Sequence, residues 1–414
     1  MTNMALDARY RMTPPSKPHQ LRTGPTGLPV LSALDVAWGF PFGTMPYPAA
    51  PGPVPCGRVA DPVLALREAV RPALRRRPCL VAFSGGRDSS LLLAIAADLA
   101  AREGHEPPVA LTFRYPRDAA AEESAWQHLV IDHLRSRGAR VEWECIQVGS
   151  ELDMVGPVVG PILREHGHPL WPPALGSTAL LSGLARGGTL MTGNYGDEVL
   201  GGHRANVLRT VVHRRGRGLS WAAWGEATFA VAPTAVRRAI ARAQATSGDW
   251  LRPAFRREWV RRFAAHQAVR PIRWDAAVRG TLIYRSALLG TQSMRRTAER
   301  NDCRLVEPFG SAEFVQSLAA FGGRWGIGGR SAAVRLLADG LLPAPVIDRT
   351  SKAYFNASRF GPETSAFVAS WDGTGLDDDA VDPKVLRELW RARTVSAPTA
   401  MLLQQAWLSA QRQR

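Results

Sequence analysis

Lysine is almost absent from this chain: of 52 basic residues, only Lys17, Lys352 and Lys384 are lysine. Codon bias in a source genome accounts for so extreme a preference for arginine, and much of the net charge of +16 then reads as ordinary solvated surface. The charge could suit a nucleic-acid partner or an acidic substrate, but a nucleic-acid partner is not expected. Where nearly every cation is arginine, a lysine marks a place that needs a compact, strongly hydrated ammonium. Cysteine is scarce too. Cys56, Cys79, Cys145 and Cys303 are scattered without CxxC spacing, which argues against paired-cysteine chemistry and for reduced thiols. No apolar run approaches bilayer length, and the opening MTNMALDARYRM has no signal-peptide core. The expectation is a cytoplasmic protein without a membrane partner.

What is present suits a large globular chain. Its 414 residues are 45% hydrophobic and 21% charged, enough for two domains. Eleven of the 31 prolines fall within residues 1–55, so residues 1–60 are expected to form a proline-rich arm, extended over the core or disordered. Residues 61–203 alternate strand and helix patterns, and residues 204–414 read as mostly helical. Arg75, Arg76 and Arg77 close a helix over 61–77 as a solvated basic end. Trp221, Trp224, Trp250 and Trp259 recur among arginines, the pattern of core tryptophans beneath a solvated face; base stacking is the other reading. His166-Gly-His168 is a weak metal pair without a third ligand.

The chemistry centres on residues 79–97, CLVAFSGGRDSSLLLAIAA. Cys79 to Phe83 is too short for a buried helix and reads as a parallel strand. Ser84-Gly85-Gly86 breaks it, and Leu91, Leu92, Ile95 and Leu99 resume at helical spacing behind Asp88 and Ser89, which are expected to cap the first turn. Backbone amides, the hydroxyls of Ser84, Ser89 and Ser90, and a helix N-terminus therefore surround one concavity suited to pyrophosphate. There is no Walker-type lysine, and Asp88 is expected to hold a magnesium ion. VALTF at 109–113 and RVEWECIQV supply the next strands, so the ends of the first two, near Ser84 and Phe113, should flank a nucleotide. A helix capped by Ser177 leads to the strand TLMT and a second glycine turn, GNYGDEVLGGH, where Asp197 could share the ion with Asp88.

The SGGRDSS run resembles the SGGxDS signature of the PP-loop ATP pyrophosphatases, which split ATP between the α and β phosphates. TGNYGDEVLGG resembles the TGxGxDExxGG stretch of the asparagine synthetase family's synthetase domain. LVEPFGSAEFV and RSAAVRLLADGLLPAPVIDRTSKAYF resemble two further segments of that family, in the same order. The resemblance covers roughly residues 60–360. It implies an α/β fold, with a doubly wound parallel sheet of PP-loop, HUP-like type and a mostly helical C-terminal region. It also implies an ATP- and Mg²⁺-dependent ligase that adenylates a carboxylate and forms an amide. Nucleotide contacts are then expected from Ser84, Gly85, Gly86, Asp88, Ser89, Ser90, Phe113, Thr192 and Gly193, and metal contacts from Asp88 and Asp197. Lys352 stands where the family carries the lysine that reaches the acyl-adenylate, and Arg349 is expected to help bind phosphate.

Two departures matter. Asn194 replaces the glutamate usual in asparagine synthetases, and Tyr195 replaces the following glycine, which weakens aspartate as the substrate. The chain begins Met-Thr and reaches Ser84 too soon for a glutaminase half, so the amine is expected from ammonia, from a small-molecule or peptide substrate, or from a separate ammonia-supplying subunit. This resembles the β-lactam synthetases and lasso-peptide cyclases, and a biosynthetic setting follows. The alternatives are a tRNA-modifying PP-loop enzyme, which the missing cysteine pairs oppose, and a nucleotide-binding scaffold without turnover.

Overall fold

The computed structural model describes residues 22–45, 61–116, 118, 121–201, 203–213, 220–351, 359–392 and 397–413. Five strands form one all-parallel sheet: β1 (Cys79–Ala82), β2 (Val109–Arg114), β3 (Glu142–Gln147), β4 (Thr189–Met191) and β5 (Arg304–Val306), in the order β3-β2-β1-β4-β5. Val81 lies opposite Ala110 on one side and Met191 on the other. The chain winds outward from β1 to β3, then crosses back to build β4 and β5. The reversal leaves a crevice above the carboxyl ends of β1 and β4, where open α/β sheets bind ligands. This is the doubly wound α/β fold that the sequence pattern predicts.

Strand alternation divides the sheet's side chains between two cores. Leu80, Leu111, Leu190 and Leu305 point to one face, joined by Leu181. Val81, Ala110 and Met191 point to the other, with Leu91, Phe309, Phe314 and Val334. The helix Pro62–Leu74 begins where Asp61 accepts hydrogen bonds from the amides of Val63 and Leu64. The helix Arg87–Glu103 buries Leu91, Leu92, Leu93 and Ile95 completely, and burial of four such side chains contributes on the order of 6–12 kcal/mol before entropy is subtracted. It ends at Gly104, whose left-handed backbone (φ 71°) lets its amide bond the Ala100 carbonyl.

A third core lies apart from the sheet. It gathers Trp38, Trp250, Trp259, Trp371, Trp390 and Trp407. Residues 22–45, read from sequence as part of an arm, contribute to it through a short helix, Ala33–Trp38. Ser32 and Asp35 close that helix with reciprocal hydrogen bonds, and Asp35 is held by both terminal nitrogens of Arg285 at 2.7 Å. Trp250 and Trp259 are core residues as expected. Trp221 and Trp224 are not: they lie 93% and 41% exposed, because the helix Trp221–Val231 buries Ala227 and Ala230 instead. Arg76 and Arg77 pair with Asp302 and Glu106 at the surface, in keeping with a solvated helix end. Among the described residues no helix is long and apolar enough to cross a membrane.

Candidate active site

The turn Ser84–Gly86 that follows β1 is shaped by backbone rather than by capping side chains. Gly85 sits at φ 80°, and a Cβ there would stand 2.8 Å from Gln127 Cγ, so only glycine fits. Gly86 is the N-cap of the helix Arg87–Glu103 and no side chain caps its first turn, which corrects the expectation for Asp88 and Ser89. The reason is local: the Ser89 hydroxyl accepts from the Ser84 amide at 3.2 Å and donates to the Gly86 carbonyl at 3.1 Å. The orphan amides of the helix start are left for a ligand. Gln127 Nε2 steadies the loop from behind by donating to the Ser84 carbonyl at 3.1 Å.

Above the loop lies a cavity of about 540 Å³. Ser84, Gly86, Asp88, Ser89, Phe113, Thr192, Gly193, Asp197 and Arg349 all line it. Gly85 and Ser90 do not: Gly85 makes the turn, and Ser90 is fully buried with its hydroxyl unpartnered, since its place on the helix aims it into the core. Ser177 lines the cavity from within the helix Leu175–Leu184, whose N-cap is Ala174. It is not the cap read from sequence.

The second glycine turn lies against the first. A Cβ on Gly196 would stand 2.4 Å from Asp88 Cγ, and one on Gly193 would stand 3.3 Å from the Ser89 amide nitrogen. Small residues here are the condition for the loops to meet. Between them Tyr195 holds a left-handed backbone, φ 69°, where the resembling family has glycine. That conformation costs a non-glycine residue roughly 1–2 kcal/mol. The side chain offsets it: its ring is buried against Gly310 and its hydroxyl lies 3.0 Å from Thr291 Oγ1.

Asp88 and Asp197 converge on Arg330, a residue the sequence reading left without a role. Arg330 Nη2 lies 2.5 Å from Asp88 Oδ2, and Nη1 pairs with Asp197 Oδ1. Burial raises the Asp88 pKa, Asp197 adds to this, and Arg330 opposes it. Burial also works against the Arg330 charge, but Asp88 and Asp197 outweigh it and hold its pKa above the ordinary value. The signal was present in the sequence as Gly328-Gly329-Arg330, two glycines with φ near 100° that put an arginine at the opening of the helix Arg330–Ala338.

Arg349 is 5% exposed and largely committed to protein. It pairs with Glu123, donates to the Gly85 carbonyl at 3.2 Å and to Ser351 Oγ at 2.9 Å, and stacks 4.6 Å above Trp126. It therefore braces the Ser84–Gly86 turn while lining the cavity where the sequence suggested a phosphate ligand. Lys352 lies outside the described residues. On the β4 side, Asn194 Nδ2 donates to Glu307 Oε1 at 3.1 Å and contacts Met294 Sδ at 3.2 Å. Burial raises the Glu307 pKa against the opposing bonds from Asn194 and Thr291.

The described residues contain no group of three or more His, Cys, Asp or Glu side chains that could hold a metal, His166 and His168 included. A magnesium ion does not need one, because it takes one or two carboxylates and completes its shell with phosphate and water. Asp88 Oδ1 is buried without a hydrogen-bond partner, and Asp197 shares the Arg330 guanidinium with Asp88. The pair fits such an ion.

Compared with known families, the chain matches the asparagine synthase family model over residues 64–409. No curated protein matches it.

Proposed function

The chain belongs to the asparagine synthase family, a family of ATP-dependent ligases, and from that premise we propose that it adenylates a carboxylate and transfers the acyl group to an amine. The observation that carries this reading is the meeting of Asp88 and Asp197, from the first turns of the helices that follow β1 and β4, on a single cation. First-turn amides of the helix Arg87–Glu103 and the hydroxyls of Ser84 and Ser89 would hold the pyrophosphate moiety. Asp88 and Asp197 would hold magnesium, which when bound supplies charge neutralisation along the phosphates. A carboxylate oxygen bonds the α-phosphorus, the bridge to the β-phosphate breaks, and pyrophosphate leaves. The amine nitrogen then bonds the acyl carbon, AMP departs with the former carboxylate oxygen, and the amine's proton passes to solvent or base.

Lys352 is the cation proposed to follow negative charge through both steps. The amine is ammonia, a substrate amine, or ammonia from a separate subunit, in natural-product or amino-acid biosynthesis. A screen of candidate acids for acid-dependent exchange of labelled pyrophosphate into ATP tests the reading, since it reports adenylation without the amine. Exchange with an acid supports it. Cleavage of ATP to ADP alone would overturn it.

A further inference from the structure

The positive charge of this chain is not spread evenly. Of its 52 basic and 36 acidic residues, 16 and four fall within residues 204–280, so this stretch supplies +12 of the net +16. A genome-wide preference for arginine over lysine sets which cation is used, not where cations gather. The stretch is also more than the sheet requires. Neighbouring parallel strands such as β4 and β5 need a crossover of only a dozen or so residues, and the helix Arg285–Arg300 supplies one. The helices before it therefore serve something else.

Two of them, Thr234–Ala243 and Pro253–Val269, meet at a groove of about 650 Å³. Its walls carry Arg242, Arg256, Arg257 and Arg261, and its floor is aliphatic: Ala245, Leu251, Pro253 and Val260. Arg256 is paired with Asp249 at 3.0 Å and Arg261 with Glu258 at 2.7 Å. Arg242 and Arg257 are exposed, and among the described residues no carboxylate pairs with either. Arg238 stands one turn before Arg242, and Arg261 one turn after Arg257, so each helix sets like charges on one face at a spacing where they repel. Asp377, Asp378 and Asp379 lie close by, since Arg252 Nε donates to the Asp378 carbonyl at 3.2 Å. Among the described residues none of their carboxylates pairs with a groove arginine. The frame beneath is firm: Trp259 is buried and stacks on Phe263 at 5.3 Å, and Leu251 bridges to Val381.

We propose that this groove docks an acidic, amphipathic segment of a partner polypeptide, its carboxylates against the arginines and its apolar side chains on the floor. Charge complementarity selects an anionic partner, and the aliphatic floor selects among anions. Single-stranded nucleic acid is held by stacking on aromatic rings, and no aromatic residue lines this groove; exposed Trp221 and Trp224 belong to another helix. A lipid surface receives protruding apolar side chains, whereas here the apolar atoms lie beneath the guanidiniums. A small anion would leave the floor uncovered. No groove residue lines the cavity at the strand ends, so the inference stands apart from the adenylating reading.

Fluorescence anisotropy of the full chain at physiological salt tests it. The probes are a labelled peptide with glutamate and leucine in amphipathic helical order, a scrambled peptide of the same composition, and a single-stranded RNA of equal charge; vesicles containing phosphatidylserine are tested by co-sedimentation. The ordered peptide should bind at least about tenfold more tightly than the scrambled one, the value of moving one leucine out of water. Arg242→Gln/Arg257→Gln should weaken it by about tenfold or more, the loss of charged hydrogen bonds. Ala245→Glu, which puts a carboxylate of the chain's own into the groove, should weaken it too. Arg140→Gln/Arg186→Gln removes the same charge from exposed positions elsewhere and should leave binding nearly unchanged. All variants should keep the wild-type circular dichroism. Equal binding of ordered and scrambled peptides, or equal losses in the two double variants, would reduce the groove to general charge and overturn the proposal. Tighter binding of RNA or vesicles that is lost in Arg242→Gln/Arg257→Gln would assign the groove to nucleic acid or lipid, and would overturn it as well.

Discussion

Asp88 and Asp197 stand in the first turns of the helices that follow two neighbouring strands, β1 and β4, yet share one guanidinium, that of Arg330. Two carboxylates forced this close repel one another unless a cation lies between them. Arg330 satisfies that need in the free protein, and Mg²⁺ with ATP would satisfy it in the working one.

Removing either carboxylate should therefore separate binding from folding. Asp88→Asn and Asp197→Asn are each expected to lower pyrophosphate exchange by at least about 10²-fold, the scale of losing one preorganised electrostatic group. Far-ultraviolet circular dichroism should be unchanged. Near-normal exchange in both variants would remove the metal assignment.

Gly196→Ala tests the approach of the two turns. Its Cβ would stand 2.4 Å from Asp88 Cγ, so one loop must move, at a cost of about 1–3 kcal/mol for overpacking. Chemical denaturation should show that loss, together with a fall in exchange of more than tenfold. Retention of both would mean that the loops have room to spare.

Glu307 predicts a pH dependence. Burial, first among the causes, raises its folded pKa above the ordinary glutamate value of 4.5. Below pH 4.5 the carboxyl is protonated in both states and carries no penalty. As pH rises through the folded pKa the native state must give up a proton it holds more tightly than the unfolded chain does, so stability falls. Glu307→Gln should lack this fall: its melting temperature should gain on the wild type as pH rises from 4.5 towards neutral. Parallel curves for the two proteins would show that Glu307 titrates normally.

Lys352→Ala should lower single-turnover product formation by about 10²–10³-fold with a smaller effect on nucleotide affinity, if the ammonium acts on the transition state. Lys352→Arg should rescue poorly, because its charge is spread over a wider plane. Full activity in the alanine variant would return this residue to the ordinary surface.

The sheet and the glycine turn after β1 were legible in the sequence because their constraints are local. A short apolar run, two glycines and a helical apolar period act within about twenty residues. Asp88 and Asp197 were legible for the same reason, each sitting in a glycine-rich turn. Arg330, Glu307 and Arg359 were not. Arg330 and Arg359 reach the cavity from segments distant in sequence, Glu307 meets Asn194 from just beyond β5, and in a chain with 52 basic residues an arginine carries no mark of its own until a fold gives it neighbours. Capping failed as a guide at Ser89, whose hydroxyl is taken by Ser84 and Gly86, at Asp88, whose carboxylate pairs with Arg330, and at Ser177, because its helix begins two residues earlier at Leu175.

The third core has a consequence for how the protein comes into being. Leu28 and Trp38 pack in one cluster with Met401, Leu403 and Trp407, and Trp250 Nε1 donates to the Ala37 carbonyl at 2.9 Å. During synthesis the early segment must wait for partners that leave the ribosome hundreds of residues later, while β1, β2 and the helix between them can assemble at once. The turn after β1 can take shape early. The tryptophan cluster closes last, and a nascent chain halted before Met401 would leave Leu28 and Trp38 open to chaperones.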